Sequence, residues 1–198
     1  MEFNFDKDYV LEDDFVKLSP LKIEHVKDLL EISDEADIWT YSFVKGNGKE
    51  NLQNYIQATL SGRKAGKEYP FVVFDKLQNQ YAGCTRFYDI IPSLQSLRIG
   101  YTWYGKKFRG TGLNKHCKYL LFDFAFEQMN MERIGLGAYA ENELSIHAMK
   151  SVGCVQEGFF RGLLPHPKGK GRMDAILFSI LKDEWESEKK ELLKGKLR

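Results

Sequence analysis

The densest set of chemically capable residues in the chain is Lys106-Lys107-Phe108-Arg109-Gly110-Thr111-Gly112-Leu113-Asn114. Three cations flank two glycines spaced two apart. Gly110 and Gly112 permit a left-handed backbone and carry no Cβ, so the chain can close around a ligand oxygen. The segment lies between a β-rich run, Leu97 to Tyr104, and the strongest helical pattern in the chain, which begins at Leu113. A helix starting there aims its first amide N–H groups, and roughly half a positive charge, back at the loop. That combination suits a phosphate. A glycine turn that merely starts a helix uses the same residues, and only the downstream context separates the two readings.

Other chemistries leave no comparable trace. No G-x-S-x-G, H-E-x-x-H or C-x-x-C occurs, and Gly46-Asn47-Gly48-Lys49 lacks the spacing of a P-loop. Gly135-Leu136-Gly137-Ala138-Tyr139-Ala140 fits the loose dinucleotide pattern G-x-G-x-x-A. Its glycines fall inside a strand rather than after one, which argues against a nucleotide turn. His25, His116, His147 and His166 share no ligand spacing and read as surface or packing residues, so no metal is expected. Cys84, Cys117 and Cys154 are odd in number and scattered, unlike a disulfide or metal framework.

The elements that must position the loop follow from periodicity. Leu11 to Leu18 reads as a hairpin around the acidic turn Glu12-Asp13-Asp14, and Ser19-Pro20 as the opening of an amphipathic helix bearing Leu21, Val26, Leu29, Leu30 and Ile32. A second helix is predicted from Glu50 to Leu60. Tyr69 to Phe74 and Gln80 to Tyr88 form a β-rich pair. In Leu97 to Tyr104 the odd positions Leu97, Ile99, Tyr101 and Trp103 alternate with Arg98, Gly100 and Thr102, which predicts a strand with two distinct faces. Leu113, Cys117, Leu120, Leu121, Phe124, Ala125 and Gln128 trace one helical stripe. Met131 to Ala140 is a further strand. Asn142 caps a short helix from Glu143 to Val152 that stops at Gly153. Val155 to Leu164 and Met173 to Leu181 close the chain as a strand pair around a Gly/Pro/Lys-rich loop. The pattern is one mixed α/β domain spanning 1–198, with a core of about 11–187 and a charged C-terminal helix or tail over 182–198.

Composition narrows the class further. With 43% apolar and 29% charged residues the chain is an ordinary globular one, and the net charge of +1 argues against coating nucleic acid or an anionic membrane. No run approaches the ~18 apolar residues of a membrane span, and the acidic start Met1-Glu2-Phe3-Asn4-Phe5-Asp6 is unlike a signal peptide. A reduced cytoplasmic protein is the expectation. The balance hides segregation: residues 1–37 hold 12 acids against 4 bases, a local net of −8, whereas 90–122 hold six bases and no acid. A solvated face balanced by its neighbours explains this as readily as a site does.

Taken in order along the chain, these segments resemble one superfamily. Lys107-Phe108-Arg109-Gly110-Thr111-Gly112 is similar to the Q/R-x-x-G-x-G/A pyrophosphate loop of the GNAT acetyltransferases, with Lys in first place. Leu11 to Leu21 resembles the opening hairpin of that superfamily's ribosomal-protein N-terminal acetyltransferase branch, and Ile99-Gly100-Tyr101-Thr102-Trp103 its strand before the loop. Asn142-Glu143-Leu144-Ser145 followed by Val152-Gly153-Cys154 matches the branch's N-x-x-S…G-F segment, with Cys for the usual Phe. Arg172-Met173-Asp174 and Asp183-Glu184-Trp185 resemble its closing strand and tail. The likeness runs from about residue 11 to 187.

The resemblance implies a GNAT fold: a mixed, mostly antiparallel sheet of about six to seven strands flanked by helices and splayed between the fourth and fifth. It implies acetyl transfer from acetyl-CoA to an amine by direct attack, with no metal, no nucleic acid and no membrane, by a monomer or a homodimer. The pantetheine would lie alongside Tyr101, Thr102, Trp103 and Tyr104, and the pyrophosphate on Lys107, Phe108, Arg109, Gly110, Thr111, Gly112 and Asn114. Asn142 would orient the pantetheine or a water, and Ser145 would protonate the leaving thiolate, whose reference pKa is ~8.5. Both residue types also serve as plain helix caps. Many members carry a Tyr donor where this chain has Met149, and the branch often carries a Glu where this chain has Arg98. Asp37, Trp39, Tyr41 and Arg98 fall where the acceptor would bind, with Trp39 equally suited to the core. An acidic wall there would suit a cationic amine. Glu141, Asp89 and Asp174 stand unranked as alternative bases. A catalytically silent CoA-binding or sensor module is the competing reading.

Overall fold

The computed structural model describes residues 3–197; Met1 and Glu2, counted above in the acidic N-terminal portion, and Arg198 of the charged tail lie outside the described residues. One eight-stranded sheet runs through the chain in the order β1-β2-β3-β4-β5-β6-β8-β7. β1 (Leu11–Glu12) and β2 (Val16–Pro20) form the N-terminal hairpin, whose turn is held by Asp13 Oδ1 accepting from the amides of Phe15 and Val16, both at 2.8 Å. β3 (Glu68–Asp75), β4 (Gln80–Ile91) and β5 (Ser96–Tyr104) continue antiparallel. β6 (Arg133–Tyr139) joins β5 in parallel, and the hairpin of β7 (Val155–Pro165) and β8 (Arg172–Leu181) completes the sheet. Counting the two-residue β1 raises the strand total above the expected six to seven and makes the splayed pair the fifth and sixth strands. The two runs that separate are the expected ones.

Helices cover both faces. α1 (Val26–Ser33) and α2 (Lys49–Lys64) pack on β3 and β4, and α3 (Leu113–Asp123) lies on the opposite face and passes into a π-helical turn, Phe124–Gln128. α4 (Glu143–Ser151) follows β6, and a C-terminal helical segment from Lys182 to Lys194 buries Trp185 against Tyr119, Phe122 and Phe126 of α3 and its extension. Ser19-Pro20 does not open the first helix. Pro20 ends β2, where it pairs with Phe71, and helical structure begins with a 3-10 turn at Ile23. A proline at a strand end forfeits no ladder donor, so the sheet claims it. Among the described residues no helix is long and apolar enough to cross a membrane.

Two irregularities shape the centre of the sheet. The β5–β6 ladder comprises Ser96↔Arg133, Leu97↔Ile134 and Arg98↔Gly135. Beyond it β5 stays on β4 as far as Tyr104↔Gly83, while β6 stays on β8 as far as Tyr139↔Ala175. The strands diverge like a V, and residues 99–104 and 136–139 face each other across it without pairing. The second irregularity is a β-bulge in β5. Cys84 pairs with Trp103 but Arg86 with Gly100, which leaves Tyr101 and Thr102 opposite Thr85 alone. Tyr101, in the inserted stretch, takes φ +50, a left-handed conformation uncommon outside glycine.

The bulge overturns the expected alternation of β5. Trp103 points toward α2, its ring 6.5 Å from that of Tyr55, whereas Thr102 and Tyr104 point toward α3, with hydroxyls on Lys118 Nζ (3.2 Å) and Asn114 Oδ1 (3.4 Å). Arg98 and Gly100 lie on the α2 face with Tyr88, which contacts both, and Tyr88 in turn packs on Tyr101. Leu97 and Ile99 are buried on the other face. An inserted residue shifts the period of two by one step, so the odd positions split between faces.

Candidate active site

The V-shaped slot is the candidate site. Its walls are two strand edges whose N–H and C=O groups find no partner in each other, and such groups require a partner when covered. At its open end β5 leads through Gly105 into the 3-10 turn Lys106–Phe108, then Arg109, Gly110, Thr111 and Gly112, then α3. Gly110 and Gly112 take φ +72 and +91, conformations that glycine adopts at little cost. A Cβ at Gly110 would meet nothing within 4 Å, so the surface above it is open. Thr111 Oγ1 donates to Phe108 O at 2.7 Å and closes the turn from inside. Phe108 is buried and braces the loop from below, so its contribution to a ligand is its backbone. Lys107 Nζ donates to Gln80 Oε1 at 2.5 Å.

The folded chain joins several of the N-terminal acids to distant partners. Arg109 donates Nε–H to Tyr104 O at 3.0 Å and Nη1–H to Asp37 Oδ2 at 2.5 Å. That hydrogen bond, with the Arg109 charge, holds the Asp37 carboxyl below the usual carboxylate range. Glu35 Oε2 accepts from the Lys106 amide at 2.6 Å. Asp8 pairs with Arg63, Glu12 with Lys76, and Asp13 with His116. Asp8, Glu12, Asp13, Glu35 and Asp37 thus have partners on α2, the β3–β4 turn, α3 and the loop that precedes it.

The segment 36–46 bridges the mouth of the V. Asp37 anchors it beside Tyr104; Tyr41 stacks on Tyr139 with ring centroids 5.6 Å apart and donates its hydroxyl to Glu141 O at 3.1 Å. Trp39 lies between. It is 3% exposed, packed on Tyr55 and Trp103, with its indole N–H on Ser33 O at 2.7 Å. Trp39 is therefore core and backs the wall rather than lining it. Asp37 belongs with the loop, and Tyr41 with the end of β6.

On the far wall Asn142 caps α4, its Oδ1 accepting from the Ser145 amide at 3.1 Å. The cap occupies the oxygen and leaves the Nδ2 donors available. Ser145 is half-buried, and Met149 is buried one turn further along. Of the alternative bases, Asp174 Oδ1 is taken by the Gly162 amide at 2.6 Å, while Glu141 is exposed. Asp89 lines a cavity below the slot. Gly135 and Gly137 sit mid-strand in β6, where they make room for Arg98 rather than for a nucleotide.

Two buried cations escape a reading of the sequence. Lys118, on α3, is 5% exposed, with Nζ on Thr102 Oγ1, which in turn lies 2.8 Å from Thr85 Oγ1. Burial pushes its ammonium down to about 8. Arg86, on β4, is 5% exposed; it donates to Glu68 Oε2 and to Tyr55 Oη at 2.5 and 2.7 Å, and its guanidinium lies 4.1 Å from the Tyr101 ring centroid, beneath the bulge. The residue adjacent to a helical apolar stripe, or at an inward strand position, reads as surface when it is cationic. Only tertiary partners reveal otherwise.

Comparison with known proteins agrees with this geometry. The family model described as "Acetyltransferase (GNAT) domain" matches residues 16–155. "Putative ribosomal N-acetyltransferase YdaF" of Bacillus subtilis is 30% identical over 132 residues, 67% of this chain and 66% of that protein, so the chain spans about two thirds of its length. A GCN5-related N-acetyltransferase from Brucella melitensis superposes with TM-score 0.86 at 23% identity, covering 96% of this chain and 85% of that one. The microcin C7 self-immunity acetyltransferase MccE, solved with acetyl-CoA and AMP, superposes with TM-score 0.76 at 16% identity over 85% of this chain and 93% of that one. Those two likenesses speak to the fold. With the family model matching well over half its length, the chain belongs to the GNAT acetyltransferases and is an acyltransferase.

Proposed function

We propose that the protein moves an acetyl group from acetyl-CoA to a primary amine, by direct attack within a ternary complex, in the cytoplasm. The observation that carries this is the continuity of the slot with the glycine loop. A ligand that ends in phosphates and carries amides along an extended arm matches a helix N-terminus followed by two unpaired strand edges. Acetyl-CoA is such a ligand. Its pyrophosphate would rest on the amides around Gly110 and Gly112, and its pantetheine along Tyr101 to Tyr104. The three buried, unbridged cysteines fit a reducing compartment.

The reaction then asks little of the side chains. The amine lone pair adds to the thioester carbonyl, and the oxyanion is met by a backbone N–H of β5 at the bulge. The intermediate collapses as the C–S bond breaks, the amine loses a proton and the thiolate takes one. Ser145 Oγ, directly or through a water, delivers the proton to sulfur, and Asn142 Nδ2 orients the arm or that water. Holding the two substrates together supplies most of the acceleration. Buried Met149 offers no proton, and this favours one second reading, a module that binds CoA without turnover.

Gly110→Glu tests the assignment. The site has room for the side chain, and its φ of +72 costs about 1–2 kcal/mol in a non-glycine residue, so the fold should persist. Calorimetry should show CoA binding by the parent and none by the variant. Equal affinity would remove the loop from the site.

A further inference from the structure

Arg98 stands at the closed end of the slot, as the last β5 residue to pair with β6. Its side chain leaves on the face of Tyr88, and its guanidinium carbon lies 5.3 Å from that ring's centroid. On the other side it runs across the two β6 glycines. A Cβ at Gly135 would sit 3.4 Å from Arg98 Cγ, and one at Gly137 would sit 3.1 Å from Nη2. An aromatic ring and a floor without side chains therefore hold a half-buried guanidinium in one place.

A cavity of about 270 Å³ opens beside it, shared with Asp89, Arg133, Leu136 and Glu157. Arg133 is already bound to Glu157 through two hydrogen bonds, at 2.7 and 2.5 Å. Arg98 makes no hydrogen bond or ion pair among the described residues, with Asp89 or any other acid. A held guanidinium with its donors unmatched beside a cavity is suited to a planar anion, because its two N–H groups fit both oxygens of a carboxylate.

We infer that Arg98 binds a carboxylate of the acceptor, so that the acetylated amine belongs to a molecule that also carries an acid group. The inference rests on the acetyl-transfer reading above and names its substrate class. The position fits that reading, since the slot narrows from the glycine loop toward Arg98, and a cofactor with its phosphates on that loop would extend its reacting end in that direction. Polyamines, with no anion to offset Arg98, are poor acceptors on this account.

Matched acceptors test it: dipeptides with a free C-terminal carboxylate against the same dipeptides as C-terminal amides. Transfer is followed by mass spectrometry, and binding to the CoA-loaded protein by calorimetry at low salt. A charge-assisted pair predicts an advantage of about tenfold or more for the acid in KM and in Kd. Arg98→Gln should abolish the preference and Arg98→Lys restore part of it. Equal use of acid and amide by the parent, or a preference that survives Arg98→Gln, overturns the subsite. CoA binding and acid-selective Kd values without any transfer would keep the subsite and instead overturn the proposed turnover.

Discussion

Asp37 and Arg109 are separated by 72 positions in the chain and joined by a 2.5 Å hydrogen bond at the mouth of the slot. The pair ties the segment that bridges the slot's mouth to the arginine that adjoins Gly110. A pyrophosphate on that loop, as proposed, would compete with Asp37 for the same guanidinium. On the proposed function, Arg109 would serve both the cofactor loop and the segment that bridges the slot.

Asp37→Asn should consequently tighten CoA binding. Asp37 is 55% exposed in its side chain and the pair is open to solvent, so its contribution is small. A gain of about two- to fivefold in Kd is expected, shrinking as salt is added. Calorimetry at two ionic strengths checks it, and weaker binding in the variant would show that Asp37 supports the cofactor rather than competing with it.

Lys118 predicts a pH dependence of stability. Its ammonium falls from 10.5 to about 8 in the folded protein because of burial. Between those values the unfolded chain holds more protons, so this group makes the fold more stable as pH rises from about 8 to 10.5. Below about 8 both states are protonated and the full penalty applies. Lys118→Met should therefore stabilise the protein at pH 7, with an advantage that shrinks across that window. Urea denaturation of both proteins at pH 7, 8 and 10 provides the comparison, and an advantage independent of pH would refute the assignment.

Arg86 bonds Glu68 and Tyr55 beneath the bulge. Arg86→Met leaves a carboxylate and a buried phenol without their partner, and a loss of about 3–5 kcal/mol in unfolding free energy is expected. A loss under 1 kcal/mol in urea melts would mean that water replaces the guanidinium.

Ser145→Ala should lower kcat by about a hundredfold while leaving the Kd for acetyl-CoA unaltered, as expected for a lost proton donor. A normal kcat would remove the Ser145 hydroxyl from the proton transfer and leave its amide as the partner of the Asn142 cap.

What could be read from the chain alone was local. Gly110 and Gly112, the helix that starts at Leu113 and the strand before them fall within 20 residues of one another, and their types suffice to draw the loop. The strands on either side of the slot were legible for the same reason. The bulge at Tyr101 was not, because it arises from pairing with β4, and nothing in Gly100-Tyr101-Thr102 marks which residue will be extra. Nor was the pairing of Asp37 with Arg109, Asp8 with Arg63 and Glu12 with Lys76, since those contacts join distant positions. Trp39 read equally as wall or core, and its packing on Tyr55 and Trp103 decided for the core.

The central claim is that this slot brings acetyl-CoA and an amine together for transfer. The most direct measurement incubates the protein with acetyl-CoA and a panel of peptides, amino acids, polyamines and aminoglycosides, and reads each by mass spectrometry. The account predicts one acetyl increment on the amine of an acceptor, dependent on Gly110 and accompanied by release of free CoA. CoA bound with ordinary affinity but no acceptor modified and no thiol released would contradict it.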